Sequence, residues 1–156
     1  MTVSVRPLRP DDWQTLRDLR LAALLDAPDA FASSYQSTLN RTEQEWRAWP
    51  GRGVVFGAFL AGQPVGMVGA MPVATDPATV HLIAMWVAPA VRGTGVAENL
   101  IDAVVAWAES RGCLSVSLEV AIGNDRAAAV YLRNGFTYSN EPPSIPDTAT
   151  MRRPLR

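Results

Sequence analysis

From Trp13 to Leu25 the apolar residues Trp13, Leu16, Leu19, Leu21, Leu24 and Leu25 return every three or four positions, the period of a helix with one buried side. The stretch predicts a helix opened by Asp11 as N-cap and running to about Ala27, with Pro28 as its stop. Ahead of it, "VSVRPLR" (Val3 to Arg9) reads as a strand ended by Pro10. Behind it the chain is polar with scattered aromatics. The capping residues of "TEQEW" predict a second helix near Thr42 to Trp49, closed by Pro50.

The pattern then changes period. "GVVFGAFLAGQPVGMVGAMPV" is two apolar runs around Ala61-Gly62-Gln63-Pro64, an antiparallel hairpin. After the expected loop "ATDPAT", the run Val80 to Val87 is apolar at both parities, with Val80, Leu82, Ala84 and Trp86 on one face and Ile83, Met85 and Val87 on the other. A strand of that kind sits mid-sheet, covered on both sides. Val96, Leu100, Val104 and Trp107 form the stripe of a further helix capped by Gly112. In "CLSVSLEV", Val116, Leu118 and Val120 alternate with Ser115, Ser117 and Glu119, so one face is core and the other polar. "NDRAAAVYLRNGF" is a short helix with Asn124 as N-cap and Gly135 as C-cap, and two short strands around a proline-rich loop finish the chain. The elements make one α+β domain over residues 1–156 with a mixed, largely antiparallel sheet.

Composition adds exclusions. A length of 156 residues is enough for one domain with a real core. With 14 Lys+Arg against 15 Asp+Glu, the net charge of -1 does not suit a nucleic-acid backbone. No segment reaches the roughly 18 apolar residues of a membrane span, and no apolar leader stands at the start, so a cytoplasmic protein without membrane contact is expected. The single cysteine, Cys113, forms no internal disulfide and reads as a buried small hydrophobe, and no metal site is expected.

The candidate chemistry begins where the central strand meets its helix, in "MWVAPAVRGTGVAENL". Glycines at 93 and 95 before a helix leave unpaired N–H groups at the positive end of the helix dipole, which suits a phosphate. Such turns also serve only to reverse the chain. A dinucleotide fingerprint lacks its third glycine, because Glu98 stands there, and a P-loop is impossible in a chain without lysine. "VAPAVRGTGVA" resembles instead the pyrophosphate signature of the GNAT superfamily of acyl-CoA-dependent N-acetyltransferases, Gln/Arg-x-x-Gly-x-Gly/Ala, filled by Arg92, Gly95 and Ala97. "LEVAIGNDRAAAVYLRNGF" is similar to the family's second signature, "LRLAALLDAPDAFASSYQ" to its acceptor-side helices, and the order of elements matches over nearly the whole chain.

The resemblance implies a GNAT-like sheet of six to seven strands flanked by about four helices, with acetyl-CoA as cofactor. It places the coenzyme pyrophosphate on Arg92, Gly93, Thr94, Gly95, Val96 and Ala97. Met85, Trp86 and Val87, with a backbone N–H of Trp86 or Val87 as oxyanion donor, and Asn124, Ala128, Tyr131 and Arg133 complete the cofactor set. Arg126 and Arg133 are candidates for the phosphates, although surface arginines are ordinary. It makes Tyr131 the general acid toward the coenzyme sulfur; the alternative is a core tyrosine with a satisfied hydroxyl. Glu119, the only acid on the polar face of its strand, is the candidate base for an amine that is protonated at neutral pH; the alternative is a solvated strand residue. His81, the only histidine, sits at the start of the central strand and is expected away from the thioester. Phe31, Tyr35, Trp86 and Glu119 are candidates for the acceptor, with Trp46 a further aromatic, and aromatics there also serve as core. The expected activity is acetyl transfer to the primary amine of a small molecule or peptide by direct attack in a ternary complex, and dimers are common among similar proteins. The rival from another class is a non-catalytic acyl-CoA-binding or regulatory module.

Overall fold

The computed structural model describes residues 2–28 and 33–156. Its elements are β1 (Val3–Pro7), α1 (Trp13–Asp26), α2 (Tyr35–Leu39), α3 (Glu43–Ala48), β2 (Val54–Leu60), β3 (Gln63–Val73), β4 (Asp76–Val87), α4 (Val96–Ser110), β5 (Ser115–Ala121), α5 (Asp125–Arg133), β6 (Thr137–Tyr138) and β7 (Thr148–Pro154). The strands form one sheet in the order β1-β2-β3-β4-β5-β7-β6. Among the described residues only the β4/β5 pair is parallel. Helices cover both faces. Leu16, Leu19 and Ala23 of α1 and Trp46 of α3 pack on one; Val96, Leu100, Ile101 and Val104 of α4, with Ala128 and Tyr131 of α5, pack on the other.

Most local expectations hold. Thr42 caps α3 through a capping box with Glu45, and Ala61 and Gly62, both at positive φ, turn the β2/β3 hairpin. Three differ. A 3-10 turn at Pro10–Asp12 precedes α1, so the N-cap position falls on Asp12, whose carboxylate caps no N–H of α1 and instead accepts the Arg9 N–H at 2.8 Å, while Asp11 pairs with Arg47 at 2.9 Å. Leu25, expected on the buried stripe, is exposed. "ATDPAT" is mostly strand: β4 already starts at Asp76, whose carboxylate takes the Ala78 N–H and the Thr79 hydroxyl and so holds the first residues extended.

The difference that matters lies inside β4. Ile83 faces Gly69 and Trp86 faces Met67, so β4 carries one residue more than β3 between these pairs. The extra residue is a bulge at Ala84, whose φ of +57° is left-handed. A bulge inverts the side-chain alternation beyond it. Val80 and Leu82 therefore share the α4 face with Met85 and Val87, whereas Ala84 and Trp86 lie on the α1 face. The expected grouping of Val80 with Trp86 is corrected accordingly.

Candidate functional site

β4 ends at Val87, and a 3-10 turn, Pro89–Val91, leads to Gly95, the N-cap of α4. Gly93 and Gly95 hold φ at +79° and +91°, which side chains other than glycine adopt at a cost. A Cβ on Gly93 would meet nothing, so the angle, not the space, calls for glycine. Among the described residues no acceptor takes the N–H groups of residues 93 to 98. With the α4 dipole behind them they form an electropositive turn suited to a phosphate.

The turn forms one wall of a cavity of about 480 Å³. Met85, Trp86 and Val87 line it from β4, Arg92, Gly93, Gly95, Val96 and Ala97 from the bend, and Asn124, Tyr131 and Arg133 from α5. Two expected members stand back. Thr94 turns its hydroxyl onto the Val91 carbonyl, and Ala128 is buried in the core. Arg126, Ala127 and Val130 join the lining; helical spacing from Asn124 and Tyr131 was enough to find Ala127. Glu98 and Ala27 line it too, and nothing in the sequence pointed to Ala27.

The cavity exists because the central strands part. β4 and β5 pair only over Thr79–His81 and Ser115–Ser117; beyond, β5 stays with β7 while β4 bulges at Ala84. Ala88 donates to Val65 on the β3 side at 2.8 Å, so strand alternation turns the Val87 N–H to the open side. The Val87 carbonyl, on that side too, accepts Arg92 Nε at 3.1 Å.

On α5, Asn124 caps the helix by accepting the Ala127 N–H at 3.3 Å. Two turns beyond Asn124, Tyr131 is 7% exposed, edge-on to Phe136 with centroids 5.7 Å apart. Burial raises its pKa above the usual phenol value. No hydrogen-bond partner occupies its hydroxyl among the described residues, so a neutral O–H donor stands in the cavity wall.

A second cavity of about 410 Å³ opens on the α1 side, lined by Arg20, Arg41, Trp49, Arg52, His81, Ala84 and Glu119 among others. Glu119 is not the solvated strand residue of the bland expectation: its side chain is 6% exposed. Its carboxylate accepts from the Ser144 N–H at 2.8 Å, the Ser144 hydroxyl at 2.6 Å, the Ile145 N–H at 2.8 Å and the Thr148 hydroxyl at 3.1 Å. Burial raises its pKa, but the donors outweigh it and hold the group below the ordinary glutamate value. His81 stands beside it, Nε2 3.6 Å from Glu119 Oε2, with Nδ1 2.9 Å from the Ser117 hydroxyl. Burial lowers the His81 pKa and Glu119 only partly restores it, so the ring is neutral at pH 7. Of the aromatics expected at the acceptor, Trp86 lines the first cavity, Tyr35 lines neither and Trp46 is fully buried; Phe31 lies outside the described residues. The second cavity is arginine-rich, with Arg20, Arg41 and Arg52 beside Trp49 and an apolar floor of Leu82, Ile83 and Ala84.

Asp26 joins the two sides. At the end of α1 it accepts the Trp86 indole N–H at 3.0 Å and pairs with Arg92, which holds its carboxyl below the usual range, the Trp86 bond first and the Arg92 bond second. Among the described residues no cluster of three or more metal-ligating side chains occurs and no helix is long and apolar enough to cross a membrane.

Comparison with known proteins agrees with this geometry. The sequence pattern of the Acetyltransferase (GNAT) family matches residues 13–136. A streptothricin acetyltransferase of Escherichia coli is 35% identical over 82 residues, 53% of this chain and 46% of that protein, so the match spans less than half of the relative. A GNAT-family acetyltransferase from Streptococcus pneumoniae superposes with a TM-score of 0.81 at 18% identity, covering 99% of this chain and 100% of the other. The structure of yncA from Salmonella typhimurium with its cofactor acetyl-CoA gives 0.79 at 17% identity, over 100% and 95% of the two chains.

Proposed function

As this chain belongs to the Acetyltransferase (GNAT) family, we propose that it moves an acetyl group from acetyl-CoA to an amine by direct attack, with both substrates bound together. One observation carries this beyond family membership. Ala84 lines the acceptor-side cavity and its neighbour Met85 the cofactor-side cavity, so two sites on opposite faces of the sheet meet at the bulge where β4 leaves β5.

The donor set fits the coenzyme. The N–H groups of the Gly93–Ala97 bend and the guanidiniums of Arg92, Arg126 and Arg133 would hold its phosphates, and the apolar side chains of Met85, Val87 and Val130 its arm. When bound, it supplies an activated acetyl thioester. The protein's part is orientation, an oxyanion donor and proton transfer. Val87 offers its N–H on the open side of β4, and a preorganised amide of this kind contributes a few kcal/mol, roughly 3, to the barrier. Tyr131 is the general acid for the departing sulfur. Its raised pKa keeps it protonated across the working range, which a donor requires.

The base is the second assignment. Glu119 was the candidate from sequence, yet a carboxylate bound by several donors and with a lowered pKa is a weak acceptor for an ammonium proton. In this proposal the proton passes to neutral His81, directly or through water, and Glu119 stabilises the imidazolium while holding the Ser144–Thr148 loop.

Thiol release from acetyl-CoA, followed in the presence of an amine panel that includes streptothricin, tests the proposal. Amine-dependent release supports it. Tight coenzyme binding with no release from any amine favours the rival, a non-catalytic acyl-CoA-binding module.

A further inference from the structure

The wall of the acceptor-side cavity carries charge that the chain itself does not neutralise. The ion pairs among arginines of the described residues use Arg6, Arg17, Arg47, Arg92 and Arg152; Arg41 and Arg52, both in the cavity wall, enter none of them. The carboxylates that share the wall form no ion pair with either of them and turn to neutral donors instead. Glu45 accepts the Thr42 N–H and hydroxyl at 3.1 and 3.2 Å in the α3 capping box, and Glu119 accepts from the Ser144–Thr148 loop.

Arg41 is also held in place. Arg41 lies over Trp49 at 5.6 Å and over Trp46 at 5.3 Å, and Arg20 over the same Trp49 at 6.0 Å. Cation–π contact with an indole holds a long, otherwise mobile side chain. It also sets two like charges close together: the Arg20 pKa is lowered to about 10, by burial first and by Arg41 second. Arg41 and Arg52, cations on a concave surface, attract an anion, and the planar guanidinium fork matches the paired oxygens of an oxyacid.

Resting on the reading of this cavity as the acceptor site, we infer that the acceptor is an amine that also carries an anionic group, a carboxylate or a phosphate, received by Arg41 and Arg52 beside Trp49. The substrate class is thus an amino acid, an acidic amine or an aminoalkyl phosphate rather than a simple alkylamine or a polyamine. The His81–Glu119 pair in the same wall receives the ammonium end, so the cavity presents opposite charges to opposite ends of one zwitterionic ligand.

The test uses product ligands, so that it does not depend on turnover. N-acetyl amino acids are compared with their C-terminal amides, and N-acetyl-phosphoethanolamine with N-acetylethanolamine, by saturation-transfer NMR on the full chain with and without coenzyme A. The anionic member of at least one pair is expected to bind roughly tenfold tighter than its neutral partner, the worth of one charge-assisted contact. Arg52→Gln and Arg41→Gln should each remove most of that difference while the dissociation constant for acetyl-CoA stays unchanged. Arg52 is exposed, so its variant reports on the site without loosening the core around Trp46. Equal binding of acid and amide, no binding of either, or a preference for neutral or cationic members overturns the inference. Acetyl transfer to amines without an anion preference would sink this inference alone. Failure to bind acetyl-CoA would sink the acetyltransferase reading, while the anion preference stays measurable without coenzyme.

Discussion

Trp86 donates its indole N–H to Asp26 at 3.0 Å, across 60 positions of sequence, and the same carboxylate pairs with Arg92 of the glycine bend. One acidic side chain at the end of α1 therefore orients a strand residue and a bend residue of the cofactor cavity. Asp26→Asn keeps the size but gives up the ion pair with Arg92. The acetyl-CoA dissociation constant, measured by calorimetry, should rise about tenfold, the loss of one charge-assisted hydrogen bond. An unchanged constant would show that Arg92 needs no partner to be placed.

Tyr131→Phe removes the one unoccupied hydroxyl in the α5 wall and leaves the edge-on packing with Phe136 intact. Turnover should fall on the order of 100-fold, the usual contribution of a general acid, with coenzyme affinity nearly unchanged. A rate equal to wild type would take Tyr131 out of the chemistry.

His81 titrates below its ordinary value of 6.5 because it is buried, and that fixes the sign of a pH effect. A histidine with a depressed folded pKa contributes stability that is complete above the unfolded pKa, about 6.5, and is lost as the pH falls toward the folded one. Denaturation midpoints should therefore decline from pH 7 to 5, and His81→Gln should flatten that part of the slope. The ring resonances, followed by NMR, should titrate below pH 6.5; titration above it would mean that Glu119 prevails over burial.

Glu119→Gln distinguishes a structural carboxylate from a simple base. The amide presents N–H where Ser144, Ile145 and Thr148 also donate, leaving a nearly buried donor unsatisfied at a cost of about 1–3 kcal/mol. The melting temperature should drop, and hydrogen exchange should speed up at Ser144 and Ile145. A variant with wild-type stability and exchange but a lowered rate would restore Glu119 as the base and leave His81 a neighbour.

Periodicity was a reliable guide in α4 and β5. The α4 stripe of Val96, Leu100 and Val104 is buried as spaced, and the alternation of Val116, Leu118 and Val120 in β5 survives intact. The glycine bend and the Asn124-to-Tyr131 spacing were legible because each motif is local, and a helix start advertises its unpaired amides in the residues that build it. What stayed hidden depends on contacts across the fold. The bulge at Ala84 places an ordinary alanine at positive φ, and no residue type announces it. The occupancy of the Glu119 carboxylate comes from a loop 25 positions away. Asp26 reads as a helix-end acid until β4 and the bend are brought against it. The arginines around Trp49 carry no signal in the sequence, since only packing converts α1, α3 and the turn before β2 into one concave wall.

The most direct check follows backbone amides in a 15N-labelled sample titrated with coenzyme A. Saturable shifts concentrated at Gly93, Thr94, Gly95, Val96 and Ala97, with smaller ones at Val87 and along α5 to Tyr131, are the expected result. Shifts that leave that bend untouched while another surface responds, or no shifts at millimolar coenzyme, would contradict the account.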